Sequence, residues 1–146
     1  MGPLKTKYFW LSHHREGELH RCYRWGEVAV CARCLGTYPV LAVFVVAQFA
    51  WKWPLSSPLD LPVGVALAVP AILDWAWGRF RPHDFGNPWR TITGLLLGLG
   101  LGRTLYVHVH RPFPPALVAQ LALAGTVLGL VLIASFLRLS RREREP

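Results

Sequence analysis

The chain has 146 residues, 53% hydrophobic and 16% charged, with a formal net charge of +8. Its charges are segregated: none falls between Cys34 and Trp51 or between Pro112 and Leu137. A water-soluble domain distributes charge over its whole surface, so this pattern excludes one. The basic excess sits at the ends of apolar runs rather than in a patch, so no nucleic-acid partner is expected.

Taken in chain order, residues 1–35 form a polar segment rich in His, Arg and Cys, read as a cytoplasmic metal-binding segment. Its first 33 residues lack the compact apolar core of a secretory signal, so none is expected. Four apolar spans follow, at about Gly36–Trp53, Leu61–Gly78, Thr91–Val109 and Pro115–Leu137. Each is close to the ~18–20 residues that cross a hydrocarbon core at 1.5 Å per residue. Lipid admits only helices or closed barrels, and these runs are too long for membrane strands. The expectation is an all-α membrane protein: a four-helix transmembrane bundle over 36–137 and a basic cytoplasmic tail over 138–146. Turn-rich linkers (PLSSPLD, RFRPHDFGNPWR, HRPFPP) separate the spans.

Lys and Arg set the orientation. Thirteen lie in the N-terminal segment, the second linker and the tail; Lys52, Arg103 and Arg111 are the remainder. Positive residues favour the cytoplasmic side, so both termini are expected there, in a multi-pass inner-membrane protein. Trp51, Trp53, Trp75, Trp77 and Trp89 cluster near span ends, as interfacial anchors do.

The stretch HRCYRWGEVAVCARCLG, His20 to Gly36, holds all three cysteines. Disulfides are rare in a reducing compartment, so close thiols there are ligands or catalytic groups. Cys31-Ala-Arg-Cys34 has the C-x-x-C spacing that chelates a tetrahedral soft metal, and Cys22 lies nine residues upstream. With an imidazole from His13, His14 or His20, the three thiolates complete a four-coordinate zinc site. A redox pair and plain buried thiols are the competing readings; an iron–sulfur cluster is disfavoured with only three thiols.

Asp74 is the only acid inside a predicted span, about a turn from its cytoplasmic end. Such a carboxylate pairs or functions; Arg33, Arg79 and Arg90 are its possible partners. Asn87 and Arg90 open the third span at the same face as the thiols, which makes a composite site expected there. Asp74, Asn87 and Arg90 are the substrate-binding candidates, and Asp74, Arg90 and Arg33 the catalytic ones. Gly94, Gly98 and Gly102 recur every four residues, read as a notch for close helix packing. Arg103 is expected to snorkel outward, and His108 and His110 to lie at the far interface. The fourth span is read as a packing helix.

The stretches SHH, HRCY, CARCLGTYP, ILD and NPWRTITGLLLG together resemble the small prokaryotic membrane proteins of domain-of-unknown-function family 2085. Many members have Cys-His where this chain has Ser12-His13, and Ser where it has Cys22. A thiol that changes places between two positions implies that both face one metal. The resemblance thus implies the ligands His13, Cys22, Cys31 and Cys34, with His20 or His14 as alternates, and an Asp at position 74. It implies no reaction. Three function classes follow. The first is a structural zinc site supporting a polar pocket near Asp74 that binds or transports a small or lipidic molecule, anionic molecules included. The second is a zinc-dependent enzyme acting on a lipid or polyprenyl-phosphate headgroup. The third is a thiol-based metal or redox sensor. Three thiolates make zinc a poor Lewis acid, which favours the first; the lipid bilayer is the partner in every case.

Overall fold

The computed structural model describes residues 16–26, 28–80 and 85–142. Four helices follow a short hairpin: α1 (Ala32–Ala50), α2 (Asp60–Phe80), α3 (Gly86–His110) and α4 (Pro115–Arg142). All four are long and apolar enough to cross a membrane. They extend the expected spans by a few residues at most ends. Most of the lengthening is polar, as in Gly86–Arg90 and Arg138–Arg142, and hydropathy alone does not register it.

Short links turn the chain back on itself, so the helices run up and down. The start of α1, the end of α2, the start of α3 and the end of α4 meet around one cavity. We call that end the terminal face. The opposite face gathers the α1–α2 and α3–α4 links with Asp60 and Arg103. Large apolar side chains such as Val43, Leu73, Leu121 and Phe136 are exposed around the barrel of helices. In water this would be a liability; facing lipid it has no such cost.

α3 is the centre. α1 lies along it as the most extensive helix pair, α2 packs on it from another side, and α4 leans on α2 while touching α3 only lightly. The α1–α3 approach is set by glycine. A Cβ at Gly98 would sit 2.6 Å from the Thr37 carbonyl oxygen, and Cβ atoms at Gly94 and Gly36 would collide with the backbones of Arg33 and Thr91. The four-residue glycine repeat is therefore a packing seam, as expected. Without a hydrophobic force between helices in lipid, polar staples add to it. Gln48, fully buried, donates from α1 to the Gly102 carbonyl at 3.2 Å. Gln120 ties α4 to both neighbours: its Nε2 donates to the Gly64 carbonyl at 2.9 Å, and its Oε1 accepts from the Thr104 hydroxyl at 2.9 Å. α4 is thus pinned by a buried amide as well as by apolar packing.

The N-terminal segment corrects the all-helical expectation. Glu16–Arg21 form a 3₁₀ turn, and Cys22–Trp25 (β1) pair antiparallel with Val28–Cys31 (β2). The turn uses Gly26 at φ +59°, a conformation glycine adopts without a Cβ penalty. Val28 and Val30 suit a half-buried strand. Two strands of four residues are too short to give a periodic signal against the apolar runs beside them. α1 then begins directly at Ala32, so Cys34 belongs to its first turn rather than to a separate segment ending at residue 35.

Candidate functional site

Asp74 lies on the buried face of α2, 3% exposed, next to the terminal face. Of its three expected partners, Arg33 takes it: Arg33 Nη2 donates to Asp74 Oδ2. Arg33 projects from the first turn of α1, so the pair joins α1 to α2 across α3. The second carboxylate oxygen, Oδ1, is buried and has no hydrogen-bond partner among the described residues. An acceptor left so in a low-dielectric site is costly, and is found where a ligand, ion or water completes it.

That carboxylate borders a cavity of about 370 Å³ at the terminal face. Among the described residues its charged lining is Glu18, Arg21, Arg33, Asp74, Arg79 and Arg90, four guanidinium groups against two carboxylates. Arg21 Nη2 donates to the Gly78 carbonyl at 2.9 Å, and its Nη1 lies 3.6 Å from Glu18 Oε1. Arg90 is 4% exposed. A Cβ at Gly78 would stand 3.5 Å from Arg90 Nη2 and 3.7 Å from Arg21 Nη2, so two cationic heads converge over this one bare position. Such a grouping is stable where an anion sits between its members. Cys31 and Cys34 border the same cavity.

The hairpin brings the thiols near one another. Cys22 and Cys31 are direct cross-strand partners, and the Cys34 thiol is a hydrogen-bond neighbour of Cys31. Cys22 and Cys31 are buried, Cys34 half-buried. Among the described residues, however, no group of three His, Cys, Asp or Glu side chains is gathered in a metal-holding arrangement. His13 and His14 lie outside the described residues. His20 is exposed at the end of the 3₁₀ turn, so the shared-face geometry that a strand from His20 to Cys22 would provide is not formed.

Asn87, expected at the site, is not among the residues that line this cavity. Its amide donates to the Cys22 carbonyl at 3.1 Å and so anchors β1 to the start of α3. Thr91, one turn on, does the same for the helix start, its hydroxyl 3.2 Å from the Ala32 carbonyl and 3.3 Å from the Tyr23 hydroxyl. Asn87 thus positions the thiol-bearing arm. Arg21 is the residue that sequence reasoning missed: only the fold carries it to Gly78, 57 positions away. His83 and Asp84, in the α2–α3 link, lie outside the described residues.

The opposite face corrects the reading of Arg103. Its guanidinium reaches towards that interface but ends on Asp60, with Nε to Oδ1 at 2.9 Å and Nη2 to Oδ2 at 3.0 Å. It also donates to the Pro54 carbonyl at 2.7 Å and to Gln48 Oε1 at 3.3 Å. The sequence places Asp60 just before the second span, where nothing marks it as the partner of a residue 43 positions on. His108 and His110 lie at this end, as expected: His108 Nδ1 accepts from the Phe113 amide at 3.0 Å, and His110 Nδ1 is 2.9 Å from the Tyr106 carbonyl.

Residues 14–104 match a family model described as "Predicted membrane protein (DUF2085)". The match takes in the hairpin, α1, α2 and most of α3, and so every charged residue of the cavity. Comparison with curated proteins and with solved structures returned no match.

Proposed function

Since the chain belongs to the DUF2085 family of predicted membrane proteins, whose description names no reaction, we propose a function from the site itself. It is a multi-pass membrane protein that binds an anionic small or lipidic molecule at the terminal-face cavity, as a receptor or carrier. The carrying observation is the excess of arginine over carboxylate, among the described residues, around a partly enclosed volume that includes a buried Asp74. Guanidinium groups recognise phosphate and carboxylate through paired hydrogen bonds, and a 370 Å³ cavity suits a small headgroup. The excess of Lys and Arg at that face favours its being cytoplasmic.

In this reading a zinc ion is held by Cys22, Cys31, Cys34 and a histidine of the N-terminal segment, His13 in the first instance, with His14 or His20 as alternates. The support is the pairing of Cys22 with Cys31 and the closeness of Cys34. Four protein donors make a closed, structural site, which pins the arm that carries Arg21, and with it the start of α1 that carries Arg33, beside the cavity. Cys31→Ser and Cys34→Ser are each expected to abolish zinc in purified protein, read by metal analysis; wild-type zinc content in both would overturn the assignment.

The binding reading is tested by Arg90→Gln and Arg79→Gln in purified, monodisperse protein titrated with butyl phosphate. Each is expected to weaken binding about tenfold, the loss of one charge-assisted hydrogen bond. Unchanged affinity in both variants would overturn it. One observation favours a second reading, a zinc-dependent enzyme acting on a lipid or polyprenyl-phosphate headgroup: Cys31 and Cys34 border the same cavity as Asp74. Binding of azide to a cobalt-substituted sample, seen as a spectral shift, would favour that reading over the closed site.

A further inference from the structure

The arginine cavity has a neighbour deeper along the helices. A second cavity of about 350 Å³, lined by Ala71, Ile72, Leu97, Ala124 and Leu128, shares Arg33 and Trp75 with it. This space is an apolar groove among α2, α3 and α4, on the side where α4 touches α3 only lightly. From Val131 at the polar cavity to Ala124 in the groove is seven residues of α4, about 10 Å at 1.5 Å per residue. Arg90 to Leu97 covers the same depth on α3. Leu128 is 44% exposed, and a Cβ at Gly125 or Gly129 would meet nothing within 4 Å, so this stretch of α4 is not buried against protein.

Resting on the binding reading above, we propose that the ligand is a single class of membrane lipid, a phosphomonoester lipid. Its phosphate sits among Arg21, Arg33, Arg79 and Arg90, and its chain lies in the groove between α3 and α4. Three observations carry this. The polar and apolar spaces adjoin at Arg33 and Trp75, the layout that suits an amphiphile rather than a free anion. Among the described residues the charged lining is four guanidinium groups against two carboxylates, which suits an anionic headgroup. Asp74 Oδ1, buried at the cavity and with no hydrogen-bond partner among the described residues, needs a donor. The protonated form of a phosphomonoester has a hydroxyl to donate; a phosphocholine diester has none.

The test uses the full chain in phosphatidylcholine nanodiscs, with bound ligand counted by native mass spectrometry. The probes are hexadecyl phosphate, hexadecylphosphocholine and butyl phosphate. Hexadecyl phosphate is expected to be retained about tenfold better than hexadecylphosphocholine, the worth of one charge-assisted hydrogen bond. Ala124→Trp, which fills the groove from the exposed side of α4, is expected to cost about tenfold on hexadecyl phosphate and much less on butyl phosphate. Leu97→Trp repeats the test from α3 should Ala124→Trp fail to fold. Equal retention of the two hexadecyl probes would overturn the headgroup assignment. Equal losses on both phosphomonoesters, or no loss, in the groove variants would overturn the chain assignment while leaving anion binding standing. No retention of any phosphomonoester by the wild type would overturn both.

Discussion

The two ends of the bundle each hold an Arg–Asp pair between helices, and the pairs differ in what is left over. At the opposite face Asp60 is complete: Oδ1 accepts from Arg103, and Oδ2 from both Arg103 and the Ser57 amide at 2.9 Å. At the terminal face Asp74 gives one oxygen to Arg33 and keeps the other buried, with no hydrogen-bond partner among the described residues, beside a cavity with three further arginines. The same two residue types therefore make a closed staple in one place and an open site in the other. The identity of a charged pair within a span says little; the count of satisfied oxygens says what the pair is for.

That contrast can be broken by removing one partner at each end. Arg103→Met and Asp74→Asn should each lower stability by about 3 kcal/mol, the low end for a buried pair, since both pairs keep some solvent access. The readout is thermal unfolding in detergent, and a cost near zero at either end would mean that the pair is not a structural tie there. Asp74→Asn carries this cost because Arg33 is left without its carboxylate.

Double replacement sharpens the comparison. Asp60→Leu with Arg103→Met should recover most of the lost stability, because the desolvation of both charges is relieved together. Arg33→Met with Asp74→Leu should also fold, yet lose butyl phosphate binding, whereas the Asp60/Arg103 double variant keeps it. If both doubles bind equally, the terminal face is a second staple and no site. Next in size, Gly98→Leu strikes the seam common to both ends and should cost about 1–3 kcal/mol through overpacking against Thr37. The smallest expected effect is Gln120→Leu, at about 1 kcal/mol, typical of a polar contact between membrane helices. Since Gln120 touches neither pair, binding at the terminal face should survive it.

Much of this architecture was legible in the sequence. Uninterrupted apolar length gives the four helices, and the four-residue glycine repeat gives the α1–α3 seam, because both depend on local composition. The thiol stretch, Asp74 and Arg90 were legible as polar groups at one face. Three things were not. The hairpin was hidden because four-residue strands carry almost no periodic signal. The Asp60–Arg103 staple and the reach of Arg21 to Gly78 depend on contacts 43 and 57 positions apart, which residue types alone do not pair. Asn87 was legible as a polar group at a helix start, but its hydrogen bond to the Cys22 carbonyl, 65 positions away, was not.

β2 ends at Cys31 and α1 begins at Ala32, with no linker between them. The arm is therefore a crank welded to its shaft and not a tether. Any torque on the hairpin turns α1 directly, and through the glycine seam it is felt by α3 along its length. Cys31 and Cys34 straddle the weld, so a group bound to both thiols would act as a splint across it.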